Sequence, residues 1–163
     1  MSATLRIRFA ENKDAALILE FIRDLALFEG MEDQVIAAAE DVRASLFESK
    51  QAEVIIGEVN GKPAAFALFF HNYSTFLGKA NLYLEDLFVR EEHRGQGIGK
   101  AMLRRLAEIA VERGCGRLDW LVLDDNRPAI GFYRKLGAES LSDRRVFRIS
   151  GNRLAAFAKS ESI

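Results

Sequence analysis

The spacing of hydrophobic residues changes twice within the first third of the chain. Residues 4–9 alternate between apolar and polar side chains, which is typical of a half-buried strand. Apolar residues then recur every three or four positions as far as Phe28, which predicts an amphipathic helix, and Gly30 is a typical residue to end it. A second helix is predicted over residues 40–48.

The middle of the chain has the pattern of a hairpin followed by a crossover. Apolar segments 53–59 and 63–71 flank Asn60-Gly61, a pair that suits the positive φ angles of a two-residue hairpin turn. A fourth strand is predicted over residues 81–90. It leads into a glycine-rich loop and a helix that ends near Arg113.

The last third predicts a strand over 117–123, a helix over 125–136, a strand over 146–149 and helical turns over 152–159. Together these segments predict an α/β fold, with a mixed central sheet of about six to seven strands flanked by helices. The two strands joined by the glycine-rich crossover should be parallel, and the crossover itself should be right-handed. Since no linker or repeat interrupts the pattern, we expect one domain over residues 1–163.

Composition narrows the class of protein. Lys and Arg total 23 against 24 Asp and Glu, and this balance argues against a nucleic-acid or membrane-surface binder, which needs a basic excess. The longest apolar run, residues 64–70, is far shorter than the roughly 20 residues that cross a bilayer. The first residues lack the apolar stretch of a signal peptide, and the single Cys115 cannot form an internal disulfide. We therefore expect a soluble, cytoplasmic protein.

Residues 94–100 read RGQGIGK between a predicted strand and a predicted helix. Three alternating glycines permit a tight turn and leave backbone N–H groups open, and with the positive end of the helix these groups suit an anion such as a phosphate. The spacing does not fit a dinucleotide fingerprint, because Lys100 stands where the third glycine belongs. Nor does it fit a Walker loop, because Ala101 replaces the required Ser or Thr. The plain alternative is a glycine-rich helix start with no ligand.

The segment Arg94-Gly95-Gln96-Gly97-Ile98-Gly99 matches the pattern Q/R-x-x-G-x-G/A of the GCN5-related N-acetyltransferases, the GNAT family. Nearly the whole chain resembles that family, and in particular its branch of spermidine/spermine and thialysine acetyltransferases. The segments that carry this likeness are Ala26-Leu27-Phe28-Glu29, Met31-Glu32-Asp33-Gln34-Val35, Tyr83-Leu84-Glu85-Asp86, and Asn126 with Phe132-Tyr133. The resemblance implies the GNAT fold, acetyl-CoA as co-substrate, an amine acceptor and a homodimer.

The same resemblance assigns residues to the cofactor. The pyrophosphate would be held by the loop, that is by Arg94, Gly95, Gln96, Gly97, Ile98, Gly99 and Lys100. The pantetheine arm would pair with the backbone of Leu87, Phe88 and Val89, where one N–H would polarise the thioester carbonyl. Asn126 would also contact the cofactor.

Transfer of an acetyl group to an amine requires a free lone pair on the nitrogen and a proton for the departing thiolate. An alkylamine with a pKa near 10.4 is protonated in all but about one molecule in 10³ at pH 7, so freeing it costs about 4–5 kcal/mol. The resemblance implies that Glu85 accepts this proton and that Tyr133 supplies the other. The plain alternatives are a surface ion pair for Glu85 and aromatic packing for Tyr133 beside Phe132.

Asp86 follows Glu85 directly, so on a regular strand the two side chains point to opposite faces. A structural hydrogen bond and contact with substrate both stay open for Asp86. Tyr133 follows Asn126 by two helical turns, which places both on one face of the short helix.

Acidic residues without basic neighbours suit a cationic acceptor. Six acidic residues and no Lys or Arg lie between Asp24 and Val42, although such runs are often only solvated surface. The resemblance places Glu29 against the substrate and makes Asp119 a second candidate. Arg144 or Arg145 lies in a segment that departs from the family, and either is a candidate partner for a carboxylate of the acceptor.

The sequence therefore predicts an acetyl-CoA-dependent N-acetyltransferase that acts by direct attack in a ternary complex. Its acceptor is a primary amine of a small cationic metabolite, either a diamine or polyamine or a thialysine-like amino acid. One alternative is a catalytically silent acyl-CoA-binding module, and the other is acetylation of a protein or peptide amine. No metal is expected, because His71, His93 and Cys115 lack ligand spacing.

Overall fold

A computed structural model describes residues 4–159 of the chain. These residues form two compact units, one ending at Leu121 and one beginning at Val122. No helix among the described residues has both the length and the apolar character needed to span a bilayer.

The first unit contains one mixed sheet, as the sequence predicts. Its strands are β1 (Leu5–Phe9), β2 (Glu53–Val59), β3 (Lys62–Ser74), β4 (Lys79–Val89) and β5 (Leu118–Trp120), and they lie in the order β1-β2-β3-β4-β5. The first four strands pair antiparallel, and β5 pairs parallel with β4. Asn60 and Gly61 join β2 to β3 with φ angles of 51° and 77°, which confirms the predicted two-residue turn.

Three helices accompany the sheet. They are α1 (Ala15–Glu29), α2 (Ala39–Arg43) and α3 (Ile98–Glu112), and α2 continues into a single π-helical turn (Ala44–Glu48). Gly30 ends α1 in the left-handed conformation, with φ of 67°, as predicted. The helix α3 connects β4 to β5 and so forms the expected crossover.

The two long helices cover opposite faces of the sheet. Phe21 of α1 stacks on Phe66 of β3 with ring centroids 5.1 Å apart, and Ile56 of β2 belongs to the same buried cluster. Gly57 follows Ile56 on β2, and because side-chain directions alternate along a strand, a Cβ atom at Gly57 would lie on the other face of the sheet. A Cβ atom at Gly57 would lie 3.1 Å from the Sδ atom of Met102 in α3, so that helix packs closely on this face.

A buried ion pair fixes the start of α1 to the sheet. The Arg8 guanidinium of β1 donates to both oxygens of Asp14, at 2.7 and 3.0 Å, and its Nε donates to Glu58 of β2 at 2.8 Å. The hydrogen bond from Arg8 holds the pKa of Asp14 below its usual range. Because Asp14 directly precedes α1, this cluster sets where the helix begins.

The second unit contains α4 (Arg127–Lys135) and α5 (Gly151–Lys159), and residues 138–150 form no helix or strand. The predicted strand over residues 146–149 is therefore wrong, and the described sheet has five strands rather than six to seven. Val146 and Phe147 are 67% and 91% exposed, so these apolar side chains are not buried as those of a core strand would be. A strand needs a hydrogen-bonded neighbour as well as a suitable pattern, and a local pattern cannot show whether one is available.

Candidate active site

The strand β4 runs past the end of its parallel neighbour. Residues 82–84 pair with β5, whereas residues 85–89 pair only with β3 within the described part of the chain. One edge of this second half of β4 therefore presents backbone N–H and C=O groups that no strand uses. Leu87, Phe88 and Val89 lie on this open edge, and they are the residues that the resemblance assigns to the pantetheine arm.

Glu85 occupies a β-bulge at the point where β5 ends. Leu84 lies opposite Phe69 of β3 and Asp86 lies opposite Leu68, so Glu85 is the extra residue. The prediction that Glu85 and Asp86 point to strictly opposite faces assumed a regular strand, and the bulge breaks that alternation. Glu85 is exposed and Asp86 is partly buried.

The carboxyl group of Asp86 has an unusual environment. Burial, together with the negative charges of Glu85 and Glu29, raises its pKa to about 6. Glu29 is the last residue of α1, so the end of that helix brings a carboxylate close to β4. Asp86 accepts no hydrogen bond from any residue of the described chain, so the structure offers no partner for the structural role left open above.

Tyr83 is a member of this surface that the sequence analysis did not single out. Burial raises the pKa of its phenol, and the charges of Glu85 and Asp119 act in the same direction. Tyr83 lies opposite Asp119 in the β4–β5 register. The available signal was the two-residue spacing between Tyr83 and Glu85, which predicts a common face on a strand. Four carboxylates thus lie near residues 83–86 of β4, around the end of β5: Glu85 and Asp119 act on Tyr83, and Glu85 and Glu29 act on Asp86.

The glycine-rich loop has the conformation that its sequence predicts. Gly95 and Gly97 have φ angles of 72° and 79°, a region that side chains disfavour, and Gly97 is the N-cap residue of α3. The first intrahelical bond runs from the N–H of Ala101 to the carbonyl of Gly97 at 3.0 Å, so the earlier N–H groups have no acceptor within the helix. At Gly99, an added Cβ would make only an ordinary contact with Val89. This geometry fits a phosphate group.

The basic residues near the loop divide into two groups. Arg104 and Arg105 form ion pairs on the surface of α3, with Glu108 and, for Arg105, also Glu112. Lys100 forms no ion pair with any described residue and remains available to an anion.

Arg94 is already engaged within the protein. Its Nε donates to the carbonyl oxygen of Val89 at 2.9 Å, and its guanidinium lies over the rings of Phe28 and Phe88. The Gln96 side-chain amide similarly donates to the carbonyl oxygen of Glu92 at 3.2 Å.

The remaining predicted site residues lie in the second unit. Asn126 is the N-cap residue of α4, and its side-chain oxygen accepts from the N–H of Ala129 at 3.3 Å. Burial raises the pKa of Tyr133, whose ring centroid is 5.5 Å from that of Phe132. Arg144 lies in the irregular segment with its Nε 3.8 Å from Asp143, and Arg145 is exposed there.

Part of the acidic run between Asp24 and Val42 has a structural role. Asp24 pairs with Arg90, Glu40 pairs with Arg43, and Asp41 accepts from the N–H of Ala38 at the start of α2. The carboxylates near the end of α1 are thus the part of the run that suits a ligand.

Comparison with known proteins identifies the class that this fold and loop define. The family model "Acetyltransferase (GNAT) family" matches residues 19–138, and the chain belongs to that family. It is 36% identical over 168 residues to the thialysine N-epsilon-acetyltransferase of Bos taurus, covering 96% of this chain and 98% of the relative. It is 30% identical over 200 residues to the L-ornithine N5-acetyltransferase NATA1 of Arabidopsis thaliana, covering 94% and 88%.

The fold has solved counterparts. An integron cassette protein from the mobile metagenome of V. cholerae superimposes with a TM-score of 0.82 and 26% identity, covering 98% of this chain and all of that one. The protein is therefore an N-acetyltransferase of the GNAT fold, a family that uses acetyl-CoA as co-substrate.

The raised pKa of Asp86 predicts a pH-dependent effect on stability. A carboxyl group with a higher pKa in the folded state stabilises the fold only while protonated, and this contribution is lost as the pH rises from about 4 to about 6. Asp86→Asn removes the charged form. We therefore expect the free energy of unfolding of Asp86→Asn to exceed that of the wild type by about 2 to 3 kcal/mol at pH 7.5. Near pH 4 the two proteins should be about equally stable.

Urea titrations at several pH values would measure this difference. Asp33→Asn, at an exposed carboxylate outside the cluster, controls for the loss of one negative charge. A wild-type protein that is more stable than Asp86→Asn at pH 7.5 would contradict the proposed environment of Asp86.

Proposed function

We propose that the protein acetylates a primary amine of a small cationic metabolite, and that the four carboxylates around the end of β5 recognise the acceptor. The observation that carries this proposal is their convergence on one short stretch of β4, where Asp86 has a pKa of about 6 because of burial and neighbouring charge. Like charges repel one another, and a cation placed among them offsets that repulsion by its attraction to each. An acceptor with one or two ammonium groups supplies that cation.

The amines for which two relatives are named belong to the same class of acceptor. Thialysine and ornithine, the amines that two relatives are named for, are amino acids with a second amine at the end of the side chain. A diamine or polyamine carries the same pair of positive groups. The near-zero net charge of the chain supports a small acceptor rather than a nucleic acid.

Within this proposal, Glu85 accepts the proton of the ammonium at its carboxylate, directly or through water. Its position on the bulge exposes the carboxylate at the end of β5. Asp86 holds the ammonium beside Glu85, and it does so best when its own carboxyl is ionised. Glu29 and Asp119 bind a second positive group of the acceptor.

The co-substrate acetyl-CoA supplies the activated acetyl group as a thioester. The backbone N–H groups from Gly95 to Lys100 and the Lys100 ammonium bind its phosphates, and the open edge from Leu87 to Val89 orients its pantetheine arm. Asn126 has its amide nitrogen available beyond the capping bond.

Tyr133 holds at its Oη the proton that the departing sulfur needs. Burial raises the pKa of its phenol, which keeps the group protonated at neutral pH and therefore able to donate. We further propose, from the resemblance alone, that the protein acts as a cytoplasmic homodimer and needs no metal.

The choice of acceptor is tested by a release assay for the coenzyme A thiol. We expect primary amines with a second positive group, such as diamines, lysine, thialysine or ornithine, to react with kcat/KM at least about tenfold above a neutral-tailed monoamine of equal length, and to lose that advantage in high salt. Thermal stabilisation by acetyl-CoA with no thiol release across the panel would favour the silent binding module. Faster thiol release with peptide amines than with small amines would favour acetylation of a protein or peptide instead.

The pH dependence of kcat/KM tests the roles of the two adjacent carboxylates. We expect the rate to rise with pH through a midpoint near 6, because ionised Asp86 binds the ammonium better. Asp86→Asn should remove this rise. Glu85→Gln should lower the rate and also move the midpoint to lower pH, since the charge of Glu85 contributes to the raised pKa of Asp86.

Glu139→Gln, at an exposed glutamate, is the matched control for Glu85→Gln. An unchanged midpoint and rate in Glu85→Gln would remove Glu85 from the mechanism.

Removal of one hydroxyl group tests Tyr133. We expect Tyr133→Phe to lower kcat by roughly 10²-fold, the scale of a lost general acid, while the dissociation constant for acetyl-CoA measured by calorimetry stays within about twofold. Tyr73→Phe, at an exposed tyrosine of β3, is the matched control and should leave both values unchanged. Equal turnover in the wild type and Tyr133→Phe would show that another group donates this proton.

A further inference from the structure

Arg94, the first residue of the glycine-rich loop, is exposed, yet its side chain contacts other residues of the protein. We propose that Arg94 is a positioning residue that holds the loop in place, and that Phe28 of α1 acts with it as a second positioning residue. In this arrangement the loop's backbone and Lys100 meet the phosphates, whereas Arg94 does not. The inference rests on the proposed role of the loop in binding acetyl-CoA.

The contacts of Arg94 are directed back to the strand that precedes the loop. Its Nε donates to the carbonyl oxygen of Val89 at 2.9 Å. This bond ties the start of the loop to the last residue of β4. Val89 belongs to the open edge of that strand, so the same bond also holds the edge and the loop in a fixed relation.

The guanidinium also packs on two aromatic rings. Its Cζ lies 4.6 Å from the ring centroid of Phe28 and 5.2 Å from that of Phe88. The two rings contact each other edge to face, with centroids 6.3 Å apart. Such cation–π contacts stabilise one orientation of a planar guanidinium. The Nε–H of Arg94 is thus used by a carbonyl of the protein, and the two rings fix the plane of its guanidinium, so these contacts serve the position of the loop.

Phe28 links the cluster of Arg94, Phe28 and Phe88 to the carboxylates that we propose bind the acceptor amine. Its ring is 58% exposed, an unusual position for a large apolar side chain, and its neighbour Glu29 is one of the four carboxylates. The ring is kept at the end of α1 by its contacts with Arg94 and Phe88. The end of α1 therefore sets the position of the cofactor loop on one side and of an acceptor carboxylate on the other.

Two substitutions of Arg94 separate positioning from charge. The Nε2 of glutamine is as many bonds from Cα as the Nε of arginine, so Arg94→Gln keeps a donor for the Val89 carbonyl but loses the charge. Arg94→Lys keeps the charge but has no donor at that position. We expect the dissociation constant for acetyl-CoA, measured by calorimetry without amine, to rise about threefold in Arg94→Gln, which loses the cation–π contact but keeps the hydrogen bond, and about fivefold in Arg94→Lys, which loses the hydrogen bond. The reverse order would show that Arg94 binds phosphate through its charge.

A double-mutant cycle tests whether Phe28 acts through Arg94. We expect Phe28→Leu to raise the dissociation constant for acetyl-CoA about threefold in the wild type and to have no further effect in Arg94→Ala. Phe76→Leu, at a phenylalanine that is 97% exposed, is the matched control and should change nothing. An equal effect of Phe28→Leu in both backgrounds would overturn the role of Phe28, because it would then act independently of Arg94.

Amide hydrogen exchange in the free protein gives a readout that needs no bound cofactor. We expect the amides of residues 95–100 to exchange faster in all three variants, Arg94→Lys, Phe28→Leu and Arg94→Gln, than in the wild type, with the largest change in Arg94→Lys. Unchanged exchange in all three variants would overturn the inference. If the wild type failed to bind acetyl-CoA, the proposed function would fail, whereas the exchange rates would still decide the role of Arg94.

Discussion

The parallel pairing between β4 and β5 lasts for only three residues, and the chemistry of the first unit depends on this short contact. Beyond it β4 continues, paired on one edge with β3 and open on the other within the described chain. Unpaired N–H and C=O groups of a strand edge can accept a further extended chain, and we propose that the pantetheine arm of acetyl-CoA fills this position. The bulge at Glu85 lies at the same point. One interruption of the sheet thus gives both an open strand edge and the place where a carboxylate leaves the regular alternation.

Charge is separated along the chain although its total is close to zero. On α3, Arg104 and Arg105 are paired with acidic neighbours, so the backbone N–H groups of the loop and Lys100 are the groups that we propose bind the phosphates. The carboxylates along β4 that we propose bind the acceptor form no ion pair with any described residue. Burial raises the pKa of Asp86 in the first place, and the neighbouring charges of Glu85 and Glu29 add to it.

Local patterns predicted the parts of the fold that local physics determines. The Asn60-Gly61 turn, the end of α1 at Gly30 and the conformation of the glycine loop all follow from the φ angles that particular residues allow. The strand over residues 146–149 failed because pairing depends on a distant neighbour. The bulge at Glu85 could not be predicted either, since it depends on the register between β3 and β4, and the environment of Asp86 follows from that register and from the end of α1. The residue types of the site were therefore visible in the sequence, whereas the relation between them was not.

The helix α1 explains why a surface residue such as Phe28 matters to a site built on β4. The Arg8–Asp14 ion pair fixes the start of the helix to β1 and β2, and the stack of Phe21 on Phe66 fixes its middle to β3. With both points held, the end of the helix has little freedom, and Phe28 and Glu29 are presented to β4 at a defined place. Close packing transmits such a constraint because a well-filled core does not deform continuously. The end of α1 thus contacts the glycine-rich loop through Phe28, and its next residue, Glu29, raises the pKa of Asp86 on β4, so one helix adjoins both groups of residues that we propose bind acetyl-CoA and the acceptor.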